Sequence, residues 1–257
     1  MGPRRVIDAG AMLLVFAAGT LGGAMNALAG GGTFATLPAL IAIGLPANIA
    51  NATSNVALLP GAAASAHGYR DELAPLGGVD WRVLAAITFV AGLAGSILLV
   101  LTPTRAFDLI IPWLLLVALA AMLGGKRAAD WLAARVTIGP RSLLAVQALL
   151  GVYGGYFGGG VGLMMTALYG LLAGIGVRAM FAPRTMMLAV ANSAAALVFV
   201  ATGMVRWPAA LPMIAGAILG GWGGALIGRA LPPLLVRWWT LAVTGATTAV
   251  FFARAYG

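Results

Sequence analysis

The stretch "ALAGGGTFATLPAL", Ala27 to Leu40, sets three consecutive glycines, Gly30, Gly31 and Gly32, inside apolar sequence and follows them with Pro38. A continuous helix would pair every backbone group of such a run internally, so breaking it frees amides that need another partner. The pattern returns as "GYFGGGVGLMMTAL", Gly155 to Leu168, where Gly158, Gly159 and Gly160 stand over the first triplet. Each triplet leads into a short apolar segment and then a helix with a polar head, "NATSNVALLPGAAASAHGY" from Asn51 and "PRTMMLAVANSAAALVFVATG" from Pro183. With a slightly longer second loop allowed, Thr53 falls on Thr185 and Pro60 on Asn192. A duplicated membrane unit is the economical reading.

The chain has 257 residues, of which 62% are hydrophobic and 8% charged, and a mean hydropathy of +1.02. Such a composition belongs to an integral membrane protein. Apolar runs such as Val83 to Leu101 and Pro208 to Gly228 are long enough to cross ~30 Å of hydrocarbon as helices, and no period-2 alternation points to a barrel. The expected fold is an all-α polytopic membrane protein. Its two homologous repeats carry short Gly-interrupted helices, re-entrant or broken, within about eight to ten membrane segments. Residues 1–124 form the first repeat, 125–141 a cytoplasmic linker and 142–257 the second repeat. In each half a helix runs into the glycines over residues 10–28 and 142–157, and the short segment covers 33–44 and 161–175. At ~1.5 Å per residue, the first short segment is too short for the bilayer core.

A net charge of +9 rests on 15 basic residues scattered through short loops. They read as topology signals and lipid-headgroup contacts, not as a nucleic-acid surface. If the short segments re-enter and return, there are eight spans. If they cross, there are ten spans and the halves are inverted. Both arrangements collect about two-thirds of the basic residues on one side, so the positive-inside rule does not choose between them. Arg4 and Arg5, an apolar run and "ALA" at Ala27 to Ala29 mimic a secretory signal, but the segment carries the first repeat copy and is expected to be retained.

Cysteine is absent, and the six acidic residues, Asp8, Asp71, Glu72, Asp80, Asp108 and Asp130, fall at segment ends or in loops. That argues against thiol chemistry, carboxylate proton relays and intramembrane metal sites. His67 is the single histidine, near the end of its helix beside Tyr69 and Arg70. No catalytic triad or dyad assembles from this inventory, so no enzyme, metal or cofactor is expected.

What remains at membrane depth is neutral and rich in donors: the glycine amides, Asn26, Thr33, Thr36, Asn51, Thr53, Ser54, Asn55, Thr185, Asn192 and Ser193, with Arg184 as a cation heading a core helix. That set suits an anion, because glycine amides approach a ligand unobstructed and a helix N-terminus adds positive partial charge. Other readings stand beside it. Gly216, Gly220, Gly224 and Gly228, spaced by four, form a packing ladder. The "NATSN" run would also serve as an interfacial helix cap. Pro60 and Asn192, at matched mid-helix positions, suggest a kink.

The run "GGGTFATLPALIAIGLP", then "ANATSN", with a second copy through "GGGVGLMMTAL" to "RTMMLAVANSAAAL", resembles the sulfite exporter TauE/SafE family of membrane transporters. The resemblance covers nearly the whole chain. It implies an exporter of small sulfur-containing anions, sulfite or organosulfonates, in a bacterial inner membrane. Carried over by position, the substrate-binding elements are Gly30, Gly31 and Gly32 with Pro38, Asn51 to Asn55, Gly158, Gly159 and Gly160, and Arg184 and Thr185 with Asn192 and Ser193. Thr166 replaces Pro38 in the second copy, so the two half-sites are not equivalent. The partners are a small anion and the lipid bilayer, without nucleic acid, and a homodimer is open. An uncoupled anion channel and a non-transporting scaffold are the rival readings. Coupling through a substrate proton, His67 or backbone-bound Na⁺ is left open.

Overall fold

The computed structural model describes residues 8–28, 30–133, 139–173, 177–228 and 233–257. Arg4, Arg5 and Ala29, used above for the signal pattern, lie outside the described residues. The described residues form an all-α fold: α1 (Ala9–Leu28), α2 (Thr33–Ala42), α3 (Ala47–Gly68), α4 (Trp81–Leu101), α5 (Thr104–Ala133), α6 (Pro140–Tyr156), α7 (Val161–Ala173), α8 (Phe181–Ala201), α9 (Trp207–Gly228) and α10 (Pro233–Tyr256). Four stretches among the described residues are long and apolar enough to cross a membrane: Ala9–Leu28, Trp81–Leu101, Thr104–Gly124 and Phe181–Ala201. Helix α2 has only 10 residues, about 15 Å of rise, half the bilayer core.

Part of the expected linker 125–141 is helical, because α5 continues unbroken to Ala133. Nothing in "KRAADWLA" stops a helix, and a glycine such as Gly124 costs only ~1 kcal/mol inside one. The interfacial-cap reading of "NATSN" also gives way. Helix α3 starts at Ala47, and Asn51, Thr53, Ser54 and Asn55 lie inside it at 1, 0, 0 and 4% exposure.

Glycines decide which helices meet. Along α1 and α9, Gly19 stands opposite Met213, Gly23 opposite Ala217 and Ala24 opposite Gly224, so the two run in the same direction. Gly216 and Gly220 press on Phe16 and Thr20, in line with the expected ladder. Helices α4 and α6 repeat this parallel seam, with Gly151 on Thr88, Gly155 on Gly92 and Gly95 on Val152. A side chain at these seams would strike backbone atoms of the neighbouring helix.

Helices α3 and α8 are antiparallel. Tyr69, just past α3, stacks on Phe181 at the start of α8, with ring centroids 6.2 Å apart. At the other end the Arg206 N–H, just past α8, donates to Thr53 Oγ1 at 3.0 Å. A cavity of about 940 Å³ at that same end gathers the start of α1 at Gly10, the α2–α3 turn at Gly44 and Pro46, and the α8–α9 turn at Gly203. Helix α2 therefore brings the chain back to the end where α1 began, and α3 leaves from there.

The surface carries large apolar side chains such as Leu13, Val90, Trp113, Leu149 and Trp222, as a lipid-facing surface requires. The absence of cysteine makes single-cysteine probes clean. Ala42→Cys and Thr202→Cys are expected to react with an impermeant maleimide from the same side of sealed vesicles, and Glu72→Cys from the opposite side. The seams give a second expectation. Gly220→Ala, whose methyl would strike the Thr20 carbonyl, lowers the thermal midpoint, whereas Gly245→Ala, with open space around it, leaves it unchanged or raises it.

Candidate functional site

The two glycine triplets end two helices inside the bundle. The Gly30 N–H donates to the Met25 and Asn26 carbonyls at 3.0 and 3.1 Å, and the Gly158 N–H donates to the Tyr153 carbonyl at 3.2 Å. Both glycines sit in the left-handed region, at φ +82° and +75°, which a side chain strongly disfavours. The third positions differ: Gly160 is left-handed at φ +75°, while Gly32 is helical at φ −58° and donates its N–H to Asn26 Oδ1 at 2.9 Å.

These turns touch. A Cβ on Gly30 would lie 2.8 Å from the Gly162 Cα, and one on Gly160 would lie 2.8 Å from Phe34 Cζ. The polar head of α3 lies against them. Ser54 Oγ and Thr36 Oγ1 share a hydrogen bond at 2.5 Å, joining α3 to α2. Asn51 donates through Nδ2 to the Tyr156 carbonyl at 3.0 Å, and Asn55 packs against Gly158. The Tyr153 hydroxyl holds the second turn by donating to the Gly159 carbonyl at 2.8 Å.

Gly30, Gly158, Gly160, Asn51, Ser54 and Asn55 are thus brought into one neutral cluster, with Gly31, Gly32 and Gly159 beside them in the turns. Thr53 points toward the α8–α9 turn. Arg184 stands apart, in the first turn of α8. It is 5% exposed, its guanidinium lies 4.8 Å from the Phe181 ring centroid, and its Nε and Nη2 have no hydrogen-bond partner. Thr185 donates its hydroxyl to the Phe181 carbonyl at 2.8 Å. Asn192, buried at 4%, lies two turns further along α8, about 12 Å from Arg184. Ser193 is not brought in: it is exposed, and its hydroxyl donates back to the Ala189 carbonyl at 2.8 Å. His67 is exposed at the end of α3 against Arg70, away from the cluster.

Sequence reasoning missed the polar tie formed by Gln147, which donates to Thr88 Oγ1 at 2.6 Å and accepts from the Tyr169 hydroxyl at 2.7 Å. It also missed Tyr153. The available signal was the chain's one glutamine set in an apolar span.

Chemically the arrangement can bind and orient but has little with which to transform. Among the described residues no three of His, Asp and Glu gather into a metal-binding group. Asn51 Oδ1 and Asn55 Oδ1 are buried acceptors without a donor. Such an orphan typically costs ~1–3 kcal/mol, and an unpaired buried cation costs more.

Comparison with known proteins agrees with a binding and transport role. A "Probable membrane transporter protein" of Haemophilus influenzae is 28% identical over 88% of each chain. The Escherichia coli K12 "Probable membrane transporter protein YfcA" is 27% identical over 95% of this chain and 90% of its own. No solved structure matches the chain. The sulfite exporter TauE/SafE family matches over residues 15–251, and the chain belongs to that family of transmembrane transporters.

Proposed function

We propose that the protein exports a small sulfur-containing anion, sulfite or an organosulfonate, across a bacterial inner membrane through two binding stations. One station is Arg184 with Thr185 at the head of α8. The other is the central cluster of Gly30 to Gly32, Gly158 to Gly160 and Ser54, where turn amides and a side-chain hydroxyl replace the hydration shell of the anion. The observation that carries the reading is Arg184: a guanidinium 5% exposed, without a carboxylate partner, two of its nitrogens unpaired, in the first turn of a helix. A planar donor fork there matches a sulfonate or sulfite oxygen pair, and the helix N-terminus adds to the same field.

Two repeats of inverted direction go with this reading. The parallel seams α1–α9 and α6–α4, and the antiparallel pair α3–α8, are the packing expected when α1 to α5 and α6 to α10 are inverted copies. Helices α1 and α2 then enter from one side and α6 and α7 from the other, with their turns meeting inside. Alternating access follows if one repeat rocks against the other around those turns.

The test is thermal stability of the detergent-purified protein with sulfite, sulfate, sulfoacetate, taurine, phosphate, acetate and chloride. A native-state ligand at a hundredfold excess over its Kd adds about 2.7 kcal/mol. Sulfite or a sulfonate is expected to raise the midpoint selectively, Arg184→Gln to abolish the rise, and proteoliposomes with that variant to lose anion flux. Indifference to every anion, or an unchanged rise in Arg184→Gln, overturns the assignment.

A further inference from the structure

Helix α6 ends at Tyr156 within the bundle, so the negative end of its dipole and its last carbonyls point into protein. One stripe of α3 faces that end. Asn51 donates to the Tyr156 carbonyl at 3.0 Å, and Asn55, one turn further and on the same face, packs against Gly158. The bond to Tyr156 fixes the Asn51 amide, because the flipped form would set two carbonyl oxygens against each other. Its Oδ1 and that of Asn55 are both fully enclosed and receive no hydrogen bond. The two residues are 1 and 4% exposed.

A buried group of unpaired acceptors beside a negative helix end has the opposite character to Arg184. It attracts a positive ligand. Its oxygens are neutral amides and backbone carbonyls. The described residues hold no cluster of three His, Asp and Glu to balance a divalent ion. A singly charged hard ion fits that donor set.

We propose that an alkali cation, with Na⁺ as its probe, binds between Asn51 and Asn55 of α3 and the C-terminal end of α6. The site stands on these atoms alone. Its role as the ion that couples to anion movement rests on the transport reading above. Cation bound there would draw α3 onto the α6–α7 turn, and the Gly158 to Gly160 amides assigned to the anion belong to that same turn, so the two ligands would favour each other's binding.

The experiment is a thermal-midpoint titration of the purified protein, free of the substrate anion, with NaCl, KCl and choline chloride at matched chloride. An alkali chloride is expected to raise the midpoint of the wild type above its value in choline chloride, saturably. Asn55→Leu removes that difference. Asn55→Asp, which keeps the shape and adds charge, shifts the half-saturating concentration down by about tenfold, for an added ion-pair energy of ~1.4 kcal/mol. Equal response to all three salts in the wild type overturns the site, as does a full alkali response in a folded Asn55→Leu. Should Asn55→Leu fail to fold, the wild-type comparison and Asn55→Asp decide alone. Anion shifts measured in choline salts report on the Arg184 station independently, so failure of one reading is distinguishable from failure of the other.

Discussion

Everything in the centre of this molecule depends on how two helix ends are closed away from water. Helices α1 and α6 stop inside the bundle, and the backbone of Gly30 lies against that of Gly162. In an apolar surround each unpaired amide or carbonyl is costly, so a break at this depth persists only where other protein groups supply partners. The closing bonds from Gly30 and Gly158 to residues five positions back meet part of the demand, and Asn26, Asn51 and the Tyr153 hydroxyl meet more. What these do not satisfy is available to a ligand.

The seams between helices follow from the same economy of space. Without a strong hydrophobic drive between apolar helices in lipid, close backbone approach must hold them, and the glycines of α1, α4, α6 and α9 permit it. Those seams leave α3 and α8, the helices with polar heads, enclosed by the rest and in contact with one another. The buried polar residues of these two helices are thereby kept from lipid. That protection lets an unpaired guanidinium on α8 and two unpaired amide oxygens on α3 exist at all. Their opposite electrical character separates a place for negative charge from a place for positive charge along one pair of helices.

Much of the local order was legible beforehand. The glycine triplets predict the breaks because glycine, without a Cβ, takes up at little cost the left-handed turns observed at Gly30 and Gly158. The helices entering them, read as 10–28 and 142–157, run Ala9–Leu28 and Pro140–Tyr156. Periodic contacts of Gly216 and Gly220 were readable from spacing by four. Ser193 was misplaced because its neighbour Asn192 is buried, and consecutive helical residues point about 100° apart, so membership in a polar pair says nothing about which member faces inward. Tyr153 went unnoticed because an aromatic in an apolar helix has no signature of its own until its hydroxyl is seen on the Gly159 carbonyl.

By itself the sequence determined the solvent, the helices and the places where they break, because apolar length, glycine and proline act within a few residues of themselves. It also determined that neutral amides and hydroxyls, with Arg184, are the polar material at depth. Only the tertiary structure decided that α3 and α8 are antiparallel, through the packing at Tyr69 and Thr53. It alone decided that "NATSN" is buried and not interfacial, and which atoms are left without partners. Satisfaction of a polar atom is a property of its neighbours in space, and those neighbours come from helices more than a hundred residues apart, as Asn51 and Tyr156 do.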